Sequence, residues 1–139
     1  MRQYVDSSVL LRIIINADDA LPNWRGLTKA SSSALLQLEC LRTIDRMQMT
    51  GEVKGPEVPR TYSALHEIMS TIELLNVRDD VLERASGQFG LPLKTLDAIH
   101  LVTAIAWRER INEEVIFVTH DKPLAAAARA YNFPVLGVA

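Results

Sequence analysis

The feature that most constrains this chain is an alternation: apolar runs too short for helices are each followed by a stretch with helical spacing. Near the C-terminal end, Glu114–Val118 read EVIFV and Pro123–Tyr131 read PLAAAARAY. A brief apolar run suits a strand buried on both faces, and the alanine-rich stretch suits a helix. The chain begins the same way. Gln3–Val5 predict a strand that ends at Asp6, and Ser7–Asn16 predict a serine-capped helix with Val9, Leu10, Ile13 and Ile14 on its apolar face. Asp18–Leu27 read as helix or turn, with Pro22 near the start, and Lys29–Ser33 as a brief strand, although serine is a poor strand former. Ala34–Met49 form a helix with Leu35, Leu38, Leu41 and Ile44 near helical spacing, and Gly51, Gly55, Pro56 and Pro59 mark a loop. A helix over Arg60–Ser70, a strand over Ile72–Val77 and a helix over Asp79–Phe89 follow, with Gly90, Leu91 and Pro92 as the stop. Lys94–Arg110 are a helix that buries Leu96, Ile99, Val102, Thr103 and Ala106, and Pro134–Leu136 are a last short strand. This succession predicts an α/β fold with a mostly parallel sheet covered on both faces.

A chain of 139 residues with no internal repeat or linker is one domain, residues 1–139. Apolar residues at 48% and charged residues at 23% give it an ordinary globular core rather than disorder. A net charge of −2 means that any nucleic-acid binding must come from a local basic rim. Cys40 is the only cysteine, which excludes an intrachain disulfide and a zinc site of several cysteines and fits a reducing cytosol. The apolar stretch near the start is short and interrupted by Asp6 and Arg12, so it does not read as a signal peptide, and no run of about 18 apolar residues exists to span a membrane.

In open parallel sheets, ligands collect beyond the carboxyl ends of the strands. Asp6 and Asp121 stand there directly, and each precedes a helix, so each is also a candidate N-cap. Two further acids are harder to assign to solvent. Glu39 sits between Leu38 and Cys40, and Asp97 is flanked by Leu96 and Ala98 with Leu101 and Ala104 along the helix. Glu67, Glu73 and Glu83 read by contrast as surface charges. Carboxylates in apolar surroundings need a partner or a metal. Two like charges about 4 Å apart repel by roughly 4 kcal/mol at an effective dielectric near 20. If Asp6, Glu39, Asp97 and Asp121 converge, protons or cations must therefore compensate, and hard oxygen donors suit Mg²⁺ or Mn²⁺. Such an ion is equipment for phosphodiester hydrolysis without a side-chain nucleophile.

Four stretches resemble a known family. YVDSSVLLRIIIN, SALLQLECLR, LKTLDAIHLVTA and VIFVTHDKPLAAAARAYNFPVL, in this order and each carrying its acid, look like a PIN-domain ribonuclease of the VapC toxin type, over nearly the whole chain. The resemblance implies a three-layer α/β/α sandwich around a parallel sheet. It implies an Mg²⁺- or Mn²⁺-dependent endoribonuclease, usually a homodimer, held inactive by a VapB-type antitoxin whose DNA-binding half represses the operon. Carried over by position, Asp6, Glu39 and Asp97 are the core acids, and Asp121 is a fourth that binds a second metal or orients water. Thr119 matches a small hydroxyl residue that hydrogen-bonds an acid or positions a water, and Ser7 matches the small polar residue after the first acid. Residues 50–62 align least.

Other features read more plainly. His100 packs on its helix, His120 is a partly exposed loop residue, and Cys40 is a buried small apolar residue. Arg12, Lys29, Arg42, Arg46, Lys94 and Lys122 lie near the acids in sequence, and Lys94 and Lys122 are the best candidates for a rim that holds RNA phosphates. Trp24 and Trp107 read as core or interface residues. The apolar faces of Val9–Ile15 and Ala34–Ile44 exceed what one core needs, which suits a dimer or an antitoxin groove. Rival readings fit less well. A haloacid-dehalogenase-type phosphatase wants a second aspartate where Ser8 stands, and a receiver domain wants paired acids near the first strand and an aspartate on a middle strand. A non-toxin PIN nuclease, or a PIN-like binding module with vestigial acids, is the remaining alternative.

Overall fold

A computed structural model describes residues 2–15 and 30–138. In chain order these form β1 (Arg2–Val5), α1 (Ser7–Ile14), β2 (Ala30–Ser33), α2 (Leu36–Met49), α3 (Glu57–Met69), β3 (Glu73–Leu75), α4 (Asp79–Ala85), α5 (Thr95–Ile111), β4 (Val115–Val118), α6 (Lys122–Ala130) and β5 (Val135–Leu136). The five strands make one sheet in the order β3-β2-β1-β4-β5, with every pairing parallel. β1 lies at its centre, with Val5 opposite Val118 and Tyr4 opposite Phe117 across the β1–β4 ladder.

Successive strand side chains point to opposite faces, and the core divides accordingly. Val5 and Val118 join α1, α2 and α3 in one cluster, built on Val9, Leu10, Leu36, Cys40, Ile44 and Leu65. Tyr4, Val115 and Phe117 join the other, with Leu101, Ile105 and Trp107 of α5 and Leu124 and Ala128 of α6. The result is the α/β/α sandwich expected, with the sheet as its middle layer.

The expected elements recur, including a strand that serine disfavours, with three instructive differences. Three consecutive serines do form a strand, Ser31 to Ser33, all buried. The polar cost is met locally: the Ser32 hydroxyl donates to the Val5 carbonyl at 2.6 Å, and the Ser33 hydroxyl accepts from the Leu35 amide at 3.1 Å. α3 begins at Glu57, so Pro59 lies inside its first turn rather than in the preceding loop. A first-turn proline gives up an N–H that has no helical partner. α4 ends at Ala85 instead of running to Phe89, and Phe89, Leu91 and Leu93 then fold back onto the core. Finally, α5 is buried around much of its circumference, from Ala98 through Ile105, because α4, α6, β2 and β4 all pack on it.

That packing corrects two side-chain assignments. Leu96 is 45% exposed rather than buried, since it stands at the free N-terminal end of α5. Leu38 is 56% exposed, and the inward residues of α2 are Leu36, Cys40 and Ile44. Trp107 is a core residue, and Glu67, Glu73 and Glu83 are exposed, as read from the sequence. The readings for Asn16, Asp18–Leu27, Pro22, Trp24 and Lys29 lie outside the described residues. Among the described residues no helix is long and apolar enough to cross a membrane.

Candidate active site

A parallel sheet whose order reverses at its centre opens a crevice at the carboxyl ends of the two strands flanking the reversal. Here those strands are β1 and β4. Asp6 follows β1, Thr119 to Asp121 follow β4, Glu39 lies in the first turn of α2, and Asp97 lies in the first turn of α5. All four acids therefore reach the same sheet edge from different segments.

Asp6 is 4% exposed and occupies the N-cap position of α1, but its side chain makes no capping bond. Its oxygens are taken by hydroxyls instead. Ser8 donates to Oδ1 at 2.6 Å, and Thr119 donates to Oδ2 at 2.8 Å. Burial pushes the Asp6 pKa up, against the Ser8 hydroxyl, the His100 ring and the Thr119 hydroxyl, which pull it down. Both hydroxyls are themselves fixed: Ser8 accepts from the His120 amide at 2.9 Å, and Thr119 accepts from the Asp121 amide at 3.0 Å. The Thr119 carbonyl is overlaid by Gly137, at φ +102°, where an added Cβ would lie 2.2 Å from the carbonyl oxygen. Only glycine fits so close an approach in that backbone conformation.

Asp97 is half-buried, and its pKa is pushed up to about 6. Burial is the main cause, followed by the charges of Asp121 and Asp6, with that of Glu39 adding and His100 opposing. The four carboxylates thus lie within electrostatic reach of one another, and Asp97 feels the other three. Asp121 is also a true N-cap, since its Oδ1 accepts from the Leu124 amide at 2.9 Å. Capping and membership of the cluster are compatible, because the cap uses one carboxylate oxygen.

Sequence reasoning passed over three participants. His100 does not merely pack on its helix. It is 2% exposed, and its Nε2 lies 2.6 Å from Glu39 Oε1 while its Nδ1 lies 2.8 Å from the Tyr4 hydroxyl. Burial acts to lower the His100 pKa, but the hydrogen bond and charge of Glu39, together with Asp6 and Asp97, outweigh it and leave it raised. The available signal was the three-residue spacing from Asp97, which sets both on one helix flank. Ser8, rather than Ser7, is the tight partner of Asp6; Ser7 stands 3.4 Å from Glu39 Oε2. Tyr4, fully buried, shows in the sequence only as a strand residue. His120 is half-buried, with Nδ1 donating to the Gly137 carbonyl at 3.0 Å. Cys40 is fully buried beside Glu39, with its thiol pushed up to about 12 by burial and then by the charges of Glu39 and Asp6, which disfavours the reactive thiolate.

Lys94 and Lys122 are exposed, at the N-terminal ends of α5 and α6, the helices that carry or follow Asp97 and Asp121. Arg42 is engaged with Asp45 at 3.4 Å. Among the described residues, no three His, Cys, Asp or Glu side chains gather closely enough to chelate one ion unaided. The donors are hard oxygens held in place by hydroxyls. Mg²⁺ keeps several waters and takes only one or two carboxylates directly, so this donor set fits a largely hydrated hard cation better than an all-protein cage.

The fold and the acids at its switch point define a class. The model of the PIN domain family matches residues 3–134, and the chain belongs to that family. Ribonuclease VapC46 of Mycobacterium tuberculosis (strain ATCC 25618 / H37Rv) is 28% identical over 137 residues, covering 96% of this chain and 95% of that protein. The crystal structure of PAE2754 from Pyrobaculum aerophilum superposes with a TM-score of 0.67 at 20% identity, over 97% of this chain and 83% of that one. VapBC2 from Rickettsia felis, bound to a DNA fragment from its promoter, gives 0.66 at 16% identity and covers 98% of both chains. A toxin–antitoxin complex from Klebsiella pneumoniae gives 0.60 at 21% identity, over 88% of this chain and 90% of that one. At these identities the three structures speak to the fold.

Proposed function

We propose that the chain is an Mg²⁺- or Mn²⁺-dependent endoribonuclease, the toxin of a VapBC-type pair, acting in the cytosol as a homodimer under the control of a VapB-type antitoxin. One observation carries the nuclease reading: Asp97, pushed up to about 6 in part by Asp121, Asp6 and Glu39, marks a carboxylate cluster whose charge calls for a cation. The likeness to Ribonuclease VapC46 supports RNA as the substrate. The likeness to a toxin–antitoxin complex and to VapBC2 supports the partner. Exposed Leu38 and Leu96, which directly precede Glu39 and Asp97 in sequence, supply apolar surface for a second protein chain.

Asp6, Glu39 and Asp97 would hold the cation, with Asp121 as the outer member of the set. When bound, such an ion polarises a phosphate oxygen and acidifies water. The chain's own groups do the rest. Ser8 and Thr119 aim the Asp6 carboxylate and favour its charged form against the effect of burial, and Asp121 shapes the mouth of the crevice while capping α6. Lys94 and Lys122 receive the RNA backbone at the rim.

The test is cleavage of a mixed RNA pool with Mn²⁺ titrated in and EDTA as control, alongside calorimetry of Mn²⁺ alone. Neither binding nor cleavage would leave a PIN-like binding module. The antitoxin arm is tested by co-purification with the product of the neighbouring small gene and loss of cleavage in the complex.

Two graded results are expected. Asp121→Asn keeps a capping oxygen, so it should retain the wild-type melting temperature and reduce cleavage less than the same change at Asp6 or Asp97. Lys94→Ala and Lys122→Ala should each weaken RNA binding across sequences and flatten the dependence of log K on log salt by about 0.7, the value for one phosphate contact on a single strand. An unchanged salt slope in both would remove them from the rim.

A further inference from the structure

The Tyr4–His100–Glu39 chain has a geometry that core packing alone does not require. Glu39 is on α2, which turns Leu38 and Gln37 outward, and its long side chain has three torsions with which to leave the crevice for water. It does not leave. Its Oε1 is held at 2.6 Å by His100 Nε2, a ring nitrogen on α5 and sixty-one residues away in sequence. A carboxylate only accepts, so Nε2 carries the hydrogen. The far side of the ring is held as firmly, with Nδ1 2.8 Å from the hydroxyl of Tyr4 on β1. Tyr4 cannot yield, because it is fully buried, edge-on to His100 at 5.8 Å and stacked at a tilt on Phe117 at 5.3 Å. The imidazole therefore sits in a socket anchored in the centre of the sheet and presents one N–H to Glu39. The oxygen that His100 leaves, Oε2, is turned to Ser7, the neighbour of Asp6.

We propose that His100 is the positioning residue of the site: clamped by Tyr4, it orients Glu39 so that one carboxylate oxygen is committed to the imidazole and the other is offered to the crevice. The proposal rests on the nuclease reading above, in which Glu39 helps to hold the cation. A hydrogen-bonded partner behind a ligating or water-binding carboxylate commonly matters 10–100-fold in metal affinity or activity. His100 touches neither RNA nor scissile phosphate in this arrangement, so its effect passes through Glu39.

The test uses the full chain and three variants: His100→Leu, His100→Gln and Tyr4→Phe. Glutamine keeps an N–H donor near the place of Nε2, leucine keeps bulk only, and phenylalanine removes one oxygen. Mn²⁺ affinity is read by calorimetry without RNA, and cleavage is read against both Mn²⁺ and RNA concentration. His100→Leu should weaken Mn²⁺ binding, and raise the Mn²⁺ needed for half-maximal cleavage, by about 10–100-fold, with the KM for RNA unchanged. His100→Gln should recover most of that loss. Tyr4→Phe should lose a few-fold, and it carries the test should the leucine variant fail to fold. Wild-type Mn²⁺ affinity in folded His100→Leu or, failing that, in Tyr4→Phe would overturn the proposal, as would a glutamine variant no better than leucine, since packing would then account for His100. These outcomes are distinct from failure of the nuclease reading, which would show as wild-type protein that neither binds Mn²⁺ nor cleaves RNA, and which would take this proposal down with it.

Discussion

Replacing Asp97 by asparagine is expected to abolish RNA cleavage and, in the metal-free protein, to make the fold more stable. The two effects have one cause. Asp97 ionises reluctantly because burial and then Asp121 and Asp6 penalise its charge, so its folded pKa of about 6 stands above the ordinary value of 3.8. A carboxyl that binds its proton more tightly when folded favours the folded state at low pH. That advantage is lost as pH rises from about 4 to about 6, and above this the charge costs stability in full. Asparagine is neutral throughout. The melting temperature in EDTA at about pH 7.5 should therefore rise on the order of 4 °C, the shift that accompanies roughly 1 kcal/mol in a domain of this size, with the rest of the penalty screened by water at a half-buried group. Near pH 4 the gain should vanish. Mn²⁺ should reverse the order, stabilising wild type and not the variant. Cleavage should fall about 10³-fold or more in Asp97→Asn and equally in Asp6→Asn, because each removes a charge that holds the cation. Full activity in both variants would refute the assignment.

The second large effect is expected at Thr119, where valine has nearly the same shape and lacks only the hydroxyl. That hydroxyl donates to Asp6 Oδ2 at 2.8 Å and accepts from the Asp121 amide at 3.0 Å, in a position fully closed to solvent. Valine would leave a buried carboxylate oxygen and a backbone N–H unpaired at once, costing about 3 kcal/mol. The Asp6 pKa, already raised by burial, would lose a bond that lowers it and rise further. The sign follows: the acidic limb of the pH–rate profile should move to higher pH, and cleavage near neutrality should fall about 10–100-fold. Thr119→Ser restores the hydroxyl and should return most of both losses. Thermal melts and pH–rate profiles of the three proteins decide it, and a valine variant with the wild-type profile would exclude the hydroxyl from the site.

The legible part of this molecule was the part governed by periodicity. Apolar runs such as Val115–Val118 announce strands regardless of what surrounds them, so the alternation and the layered α/β architecture could be read directly. Boundaries were less legible where a residue's preference depends on tertiary partners. The serines of β2 are poor strand formers until Val5 and Leu35 supply their hydrogen bonds. The exposure of Leu96 could not be read because apolar spacing marks a helix face without saying how far the packing extends along it. At the site, acids in leucine-rich surroundings drew attention because an unpaired buried charge is costly. His100 and Tyr4 did not, because each is ordinary in an apolar stretch. Their significance is a relation across ninety-six residues, and no local pattern encodes it.

The central position of β1 also bears on when such an activity can arise during synthesis. Asp6 is made well before Thr119, which supplies one of the two hydroxyls that oppose the effect of its burial and from which it is separated by 113 residues. At roughly 5–20 residues per second, a ribosome needs on the order of 6–20 seconds to travel between them. Until β4 emerges, β1 has no partner on that flank, and neither the crevice nor its far wall exists. On the proposed function, a nascent chain therefore has no assembled site with which to cut RNA until β4 has paired with β1.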